Sequence, residues 1–175
     1  MKAYHVVGEA PMYTNTFLLI SDAGHAAVID PAAAPEDYNA ELKEQWHAKL
    51  WCEKADLGGG QFFPLQAADS GYEEGGVVKV DEMEFTAWHT PGHTPGSVCL
   101  LCGQYLFTGD TLFAGSVGRT DLPGGSTRQM NESLRKLAGL PIPEQAQVLP
   151  GHGDLSTFGE ELKHNWYIKS ACKQD

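Results

Sequence analysis

Three segments of this chain hold residue types that could build a catalytic centre. His93 lies in TPGHTPGS, Asp110 in TGDTLFAG and His152 in LPGHGD. Each follows a stretch that reads as a β-strand, ending near His89, Thr108 and Leu149 respectively. The flanking glycines and prolines let the backbone bend sharply after the strand, which is how side chains distant in sequence reach one point. Two imidazoles and a carboxylate suffice to hold a catalytic zinc with one position left for water, and the same donor set serves non-haem iron. Singly, each residue has a plainer reading: a histidine as a hydrogen-bonded structural group, an aspartate after a strand as a turn former. Metal chemistry therefore requires that the three strand ends converge.

The elements that must bring them together are legible from pattern. Ala3 to Val7, Thr16 to Ser21 and Ala26 to Asp30 read as an antiparallel meander, the last two joined by Asp22, Ala23 and Gly24. Pro31 stops the third strand, and Pro35 opens a helix through about Trp46 with Tyr38, Leu42, Gln45 and Trp46 on one partly apolar face. Lys49 to Cys52 reads as a short strand and Glu53 to Gly76, with Gly58, Gly59 and Gly60, as loop. Val77 to Val80 and Glu84 to His89 predict a hairpin about Asp81 to Met83; Val98 to Leu101 and Tyr105 to Thr108 predict another about Gly103 and Gln104. Ser126 with Gln129 has the capping-box spacing ahead of a helix with Met130, Leu134 and Leu137 on one face, stopped by Gly139. A last strand ends at Val148 and Leu149, and Thr157 with Glu160 caps a final helix through about Cys172. Strands then helix, twice over, predict an α/β fold of two face-to-face sheets with helices outside, an αββα sandwich.

A chain of 175 residues is long enough for one domain with a core and short for two. Its 12 Lys and Arg against 23 Asp and Glu give a net charge of −11, which repels nucleic acid and anionic membranes. With 42% hydrophobic and 20% charged residues the composition is that of a globular protein. No segment approaches the roughly 18 apolar residues of a membrane span and no signal-like run opens the chain, so the expectation is a soluble cytoplasmic protein. Cys52, Cys99, Cys102 and Cys172 are expected as free thiols. Cys99 and Cys102 have CxxC spacing, but three residues apart on a strand they face opposite ways and read as two buried cysteines.

TPGHTPGS from Thr90, LFTGDTLFAGSVGRTDLPGG from Leu106, LPGHG from Leu149 and VIDP from Val28 resemble the metallo-β-lactamase-fold hydrolases, in particular the small glyoxalase II-like branch. The resemblance runs from about Met12 to the C-terminal helix and is most specific from Trp88 to Gly125. It implies an αββα fold, a one- or two-metal centre at one edge of the sandwich, and hydrolysis of a thioester or other acyl bond. It also implies roles: His93 stands where the family has the third histidine of one metal site, Asp110 where it has the bridging aspartate, and His152 where it has the last histidine of the second site.

The family's HxHxDH loop has no counterpart here. Among the seven histidines no two are two positions apart, and no aspartate precedes a histidine. The helix around Glu41 to Gln45 runs almost directly into AKLWC, where the family places a strand, that loop and a helix. The gap matches one unit of roughly 20 to 30 residues. Helix still feeds strand, so the resemblance implies that the fold survives. A two-metal centre would lack its ligands; one ion, zinc or alternatively iron, on His93, Asp110 and His152 remains.

Further donors open to consideration are His89, Asp154, His47 and Asp56. His89 also reads as a group that orients the HTPGH loop or touches substrate. His5, His25 and His164 read as surface or strand histidines. Arg119 with Asp121 invites a substrate-binding role, or that of a buried pair tying the long loop to the sandwich.

Three functions follow: a hydrolase of a small acyl or thioester substrate with a reduced centre, a non-catalytic binding or assembly module, and an iron oxygenase like the family's persulfide dioxygenases. Loss of a covering unit also predicts a homodimer that closes the exposed sheet edge.

Overall fold

The computed structural model describes residues 1–9, 13–30, 44–58 and 65–173. Three antiparallel strands, β1 (Lys2–Val7), β2 (Asn15–Ile20) and β3 (Ala26–Ile29), form the smaller sheet in sequential order. The larger sheet runs β4 (Val77–Val80), β5 (Met83–His89), β6 (Val98–Cys102), β7 (Tyr105–Gly109), β8 (Gln147–Pro150) and β9 (Ser156–Thr157). Helix α1 (Thr127–Ala138) lies between β7 and β8, while α2 (Phe158–His164) and α3 (Trp166–Ala171) follow β9. The expected helix from Pro35 lies outside the described residues except at 44–46, which are helical. Among the described residues no helix is long and apolar enough to cross a membrane.

The larger sheet has an apolar core on each face, and the alternation of its strands decides which residue joins which. Met83, Phe85 and Ala87 of β5, Leu100 and Cys102 of β6 and Phe107 of β7 pack against Phe17 and Leu19 of β2. Trp88, Cys99 and Leu106 point the other way, onto Met130, Leu134 and Leu137 of α1 with Phe158 and Ile168. Cys99 and Cys102 thus belong to opposite cores, and both are free thiols. Burial lifts the Cys99 thiol to about 11, as expected of an inert core cysteine.

Strand direction places the site. β5 is antiparallel to β6 and β6 to β7, so β5 and β7 point the same way, and β8 pairs with β7 in parallel. The chain therefore leaves β5, β7 and β8 at one end of the sheet, and those exits carry His93, Asp110 and His152.

Three local expectations change. The predicted strand at Lys49 to Cys52 reduces to one isolated parallel bridge, Trp51 with Ser70, because the segment finds no longer partner among the described residues. The predicted loop after Glu53 contains a turn of 3₁₀ helix at Lys54–Asp56. The final helix is two helices, broken at Asn165. That residue is extended (φ −66°, ψ 115°), and its Oδ1 accepts from the amides of Tyr167 and Ile168 to start α3. Its Nδ2 donates to Glu161 Oε2 at 2.8 Å and to the Ser116 carbonyl at 3.1 Å. A fully buried asparagine with these partners does more as a cap than as a helix interior residue.

Helix α1 docks on the loop that holds His93. Ser126 caps it, its own amide donates to the Gly92 carbonyl at 2.8 Å, and Ser133 Oγ donates to the Pro91 carbonyl at 2.7 Å. A Cβ on Gly92 would stand 2.6 Å from both the Cα and the N of Met130. Gly92→Ala is expected to force this loop off the helix and lower stability by about 1 to 3 kcal/mol, read as a reduced urea midpoint at unchanged slope.

Candidate metal centre

The base of the site is a polar stitch between two strand exits. Thr90, one residue past β5, and Thr111, two past β7, are both fully buried, and their hydroxyls lie 2.9 Å apart. Above them the loops bring three side chains together. His93 Nε2 lies 3.2 Å from Asp110 Oδ2, and His152 Nε2 lies 3.7 Å from the same oxygen. The side chains are 16%, 21% and 31% exposed for His93, Asp110 and His152, so the cluster is reachable from solvent but half-desolvated.

The donor chemistry fits a metal ion. His93 Nδ1 lies 2.7 Å from the Arg119 carbonyl, which can only accept, so Nδ1 carries the proton and the neutral ring has its lone pair on Nε2. That lone pair faces a carboxylate oxygen, and only a proton or a cation between them makes the contact attractive. Two donors about 2.0 to 2.1 Å from one tetrahedral zinc stand about 3.3 Å apart, which the two observed separations bracket. Among the described residues no group of three His, Cys, Asp or Glu side chains is yet gathered closely enough to hold an ion as it stands. His152, at 3.7 Å, has the wider of the two separations.

Each arm has its own support. Asp56 accepts from Thr94 Oγ1 at 2.6 Å and from the Gly96 amide at 2.7 Å, which clamps the far side of the His93 loop. Both its carboxylate oxygens are occupied, so Asp56 serves as a bracket and not as the further ligand considered from sequence. The loop after Asp110 is held by Glu161, 4% exposed, whose Oε2 accepts from the Gly115 amide at 2.9 Å. Asp110 itself lies against Gly151, where a Cβ would stand 2.6 Å from Oδ1. Only glycine lets the β8 exit approach that closely.

The remaining expected residues go elsewhere. His89 turns its Nε2 to the Tyr72 carbonyl at 3.0 Å and toward Glu53 Oε1 at 3.5 Å, fastening the end of β5 to segment 72–74. The Arg119 guanidinium grips Asp121 in two bonds, 2.6 and 2.7 Å, but both side chains are more than 60% exposed. The expected buried tie is therefore absent: two residues apart in sequence, the pair bridges nothing distant, and the Arg119 carbonyl makes the tie instead. Arg119 holds the Asp121 carboxyl down at about 2. His47 lines a separate cleft with Ala48, Lys49, Asp69 and Ser70, and Asp154 is exposed. His25 pairs with Asp81 and His164 with Glu160, both histidines 72% exposed.

Asp30 was not singled out from sequence, although it is the aspartate of the VIDP motif. It sits in the left-handed region (φ 51°) after β3, with its Oδ2 near the Gly109 backbone. Burial, helped by the neighbouring Asp110 charge and opposed by His152, pushes its carboxyl up to about 6. Asn15, also missed, holds the His152 turn through Pro150 and Gly153. Nothing in local periodicity marks either residue; only a polar type beside a strand end hints at them.

The bracket at Asp56 is testable. Asp56→Ala leaves the Gly96 amide without its partner and is expected to lower stability by about 1.5 to 3 kcal/mol, with Asp56→Asn losing less. Urea unfolding at pH 7 reads the loss, and hydrogen exchange at the Gly96 amide should quicken in the same order.

Known proteins supply the family. Hydroxyacylglutathione hydrolase GloC of Haemophilus influenzae is 37% identical over 100 residues, 56% of this chain and 47% of that protein. The chain spans about half the length of the curated relatives it matches. Among solved structures, ETHE1 from Myxococcus xanthus superposes with a TM-score of 0.81 at 25% identity, over 97% of this chain and 85% of that one. TTHA1623 in a di-iron-bound form gives 0.71 at 26% identity, over 94% and 99%. Residues 23–152 match the model of the metallo-beta-lactamase superfamily, a stretch that takes in His93, Asp110 and His152, and the chain belongs to that superfamily.

Proposed function

We propose that this protein is a metal-dependent hydrolase of the glyoxalase II type, acting on a thioester or other acyl bond through a single ion held by His93, Asp110 and His152. The observation that carries the reading is the convergence of two Nε2 atoms on one carboxylate oxygen, 3.2 and 3.7 Å away. The name of the Haemophilus relative supports the acyl chemistry. One zinc ion held there supplies Lewis acidity toward water and toward the acyl carbonyl.

The chain's own groups divide the remaining work. The Arg119 carbonyl fixes the tautomer of His93 and so aims its lone pair. Asp110 offers one oxygen, Oδ2, to both arms, while its Oδ1 lies on the side of Gly151. The partial burial of all three side chains strengthens their hold on charge relative to open water. A second reading, an iron-dependent oxygenase, is favoured by the two-histidine, one-carboxylate set, which is also the donor set of non-haem iron.

Metal analysis of protein purified without added zinc is expected to find about one ion per chain, with thioester hydrolysis above buffer. Asp110→Ala should lose the ion and reduce hydrolysis by more than about 100-fold, beyond the range of outer-sphere partners. Oxygen uptake with a persulfide by the iron-loaded protein would favour the second reading. Sub-stoichiometric metal together with no hydrolysis would overturn both and leave a non-catalytic module.

A further inference from the structure

Asn15 opens β2 on the smaller sheet, and it is 2% exposed. Its Nδ2 donates to the carbonyls of Pro150 and Gly153, both at 3.0 Å, and its backbone amide donates to the carbonyl of Gly151 at 2.8 Å. One residue from the other sheet thus holds three carbonyls of the four-residue turn that carries His152. Two other contacts reach the turn, the Gly151 amide to the Gly109 carbonyl at 2.9 Å and the edge of Phe113 against the His152 ring at 6.3 Å, but Gly151 and Gly153 bring no side chains and Gly153 is left-handed at φ 79°.

The orientation of the amide is determined by its partners. Carbonyls only accept, so Nδ2 must face them and Oδ1 must face His5, whose Nε2 lies 2.9 Å away. An oxygen acceptor in turn requires His5 to donate from Nε2. The plane of the His5 ring is set by stacking on Phe17, centroids 5.0 Å apart and 20° between planes, and Phe17 belongs to the core between the sheets. A path of fixed orientations therefore runs from that core through His5 and Asn15 to the His152 turn.

We propose that Asn15 is the positioning residue for His152, and that His5 fixes the Asn15 amide, so that the edge strand β1 governs one ligand arm of the centre. The inference rests on the reading of His152 as a ligand. A coordinating side chain has to be held within about 0.5 Å of its working geometry. His152 is the wider-set arm, and Asn15 holds its backbone on both sides. His5, expected from sequence as a surface or strand histidine, lies on β1 and makes this contact in addition.

Three variants test it. Asn15→Asp keeps the shape but turns an oxygen toward two carbonyls. His5→Phe keeps the stack on Phe17 and removes the donor; His5→Gln returns an N–H. The first readout is the imidazole proton–nitrogen correlation of metal-free protein, where Asn15→Asp and His5→Phe should shift the His152 signals and leave those of His93 in place. The second is cobalt(II) titration followed by d–d absorption. Asn15→Asp is expected to weaken binding by about 10- to 100-fold and move the band, and His5→Phe to weaken it by about 3- to 10-fold. His5→Gln should return to within about twofold of the parent, a rescue that loss of general stability would not give.

Unchanged His152 signals in both Asn15→Asp and His5→Phe would overturn the proposal. So would equal cobalt affinity and band in those variants where the parent binds cobalt. Should Asn15→Asp fail to fold, the His5→Phe and His5→Gln pair decides by the same signals. A parent protein with no cobalt band sensitive to Asp110→Ala would defeat the metal reading alone; displaced His152 signals would then still support the positioning role, and undisplaced ones would end it.

Discussion

Everything about this site depends on one carboxylate oxygen having two imidazole nitrogens turned toward it. That contact cannot be made by one loop, since the three residues leave three different strands. It needs β5, β7 and β8 to point the same way, and the parallel pairing of β7 with β8, with Gly109 opposite Pro150, supplies the closest of those juxtapositions. A parallel pair needs a long crossover, and α1 provides it while packing Met130, Leu134 and Leu137 on the larger sheet. The helix that closes the crossover also supports the His93 loop through Ser126 and Ser133, so the core and the site share one structural element.

The electrostatics of the cluster follow from the same approach. A chain of net charge −11 brings Asp30 and Asp110 together at the end of the sheet, where burial first and the Asp110 charge second oppose ionisation of Asp30. Two imidazoles beside them offset part of that repulsion, and a cation among the donors would offset more.

What could be read from sequence was whatever repeats locally. Period-two alternation gave both hairpins of the larger sheet and put Cys99 and Cys102 on opposite faces; the S-x-x-Q cap and the 3.6 spacing gave α1 from Ser126 to Gly139. The loops that carry His93, Asp110 and His152 were marked by glycine and proline. What escaped was polar and distant. Asn165 breaks the last helix because it satisfies Glu161 and the Ser116 carbonyl, 49 positions away in the latter case. Asn15 reaches Pro150 across 135 positions and Asp56 reaches Gly96 across 40. Such pairings leave no period in the chain, and a buried polar residue looks in sequence like any exposed one.

The sequence holds no HxHxDH motif, yet the strands whose exits carry His93, Asp110 and His152 are all present. The supports of the three remaining arms come from elsewhere: Asp56 from the 3₁₀ turn, Asn15 from β2, Glu161 from α2 and the Arg119 carbonyl from the loop after β7. Both rings turn toward Asp110: that of His93 is hydrogen-bonded to the Arg119 carbonyl, and the backbone of the His152 turn is hydrogen-bonded to Asn15. Geometry at a metal centre is imposed by the groups behind the ligands as much as by the ligands themselves, and these supports are what would set it for an ion on His93, Asp110 and His152.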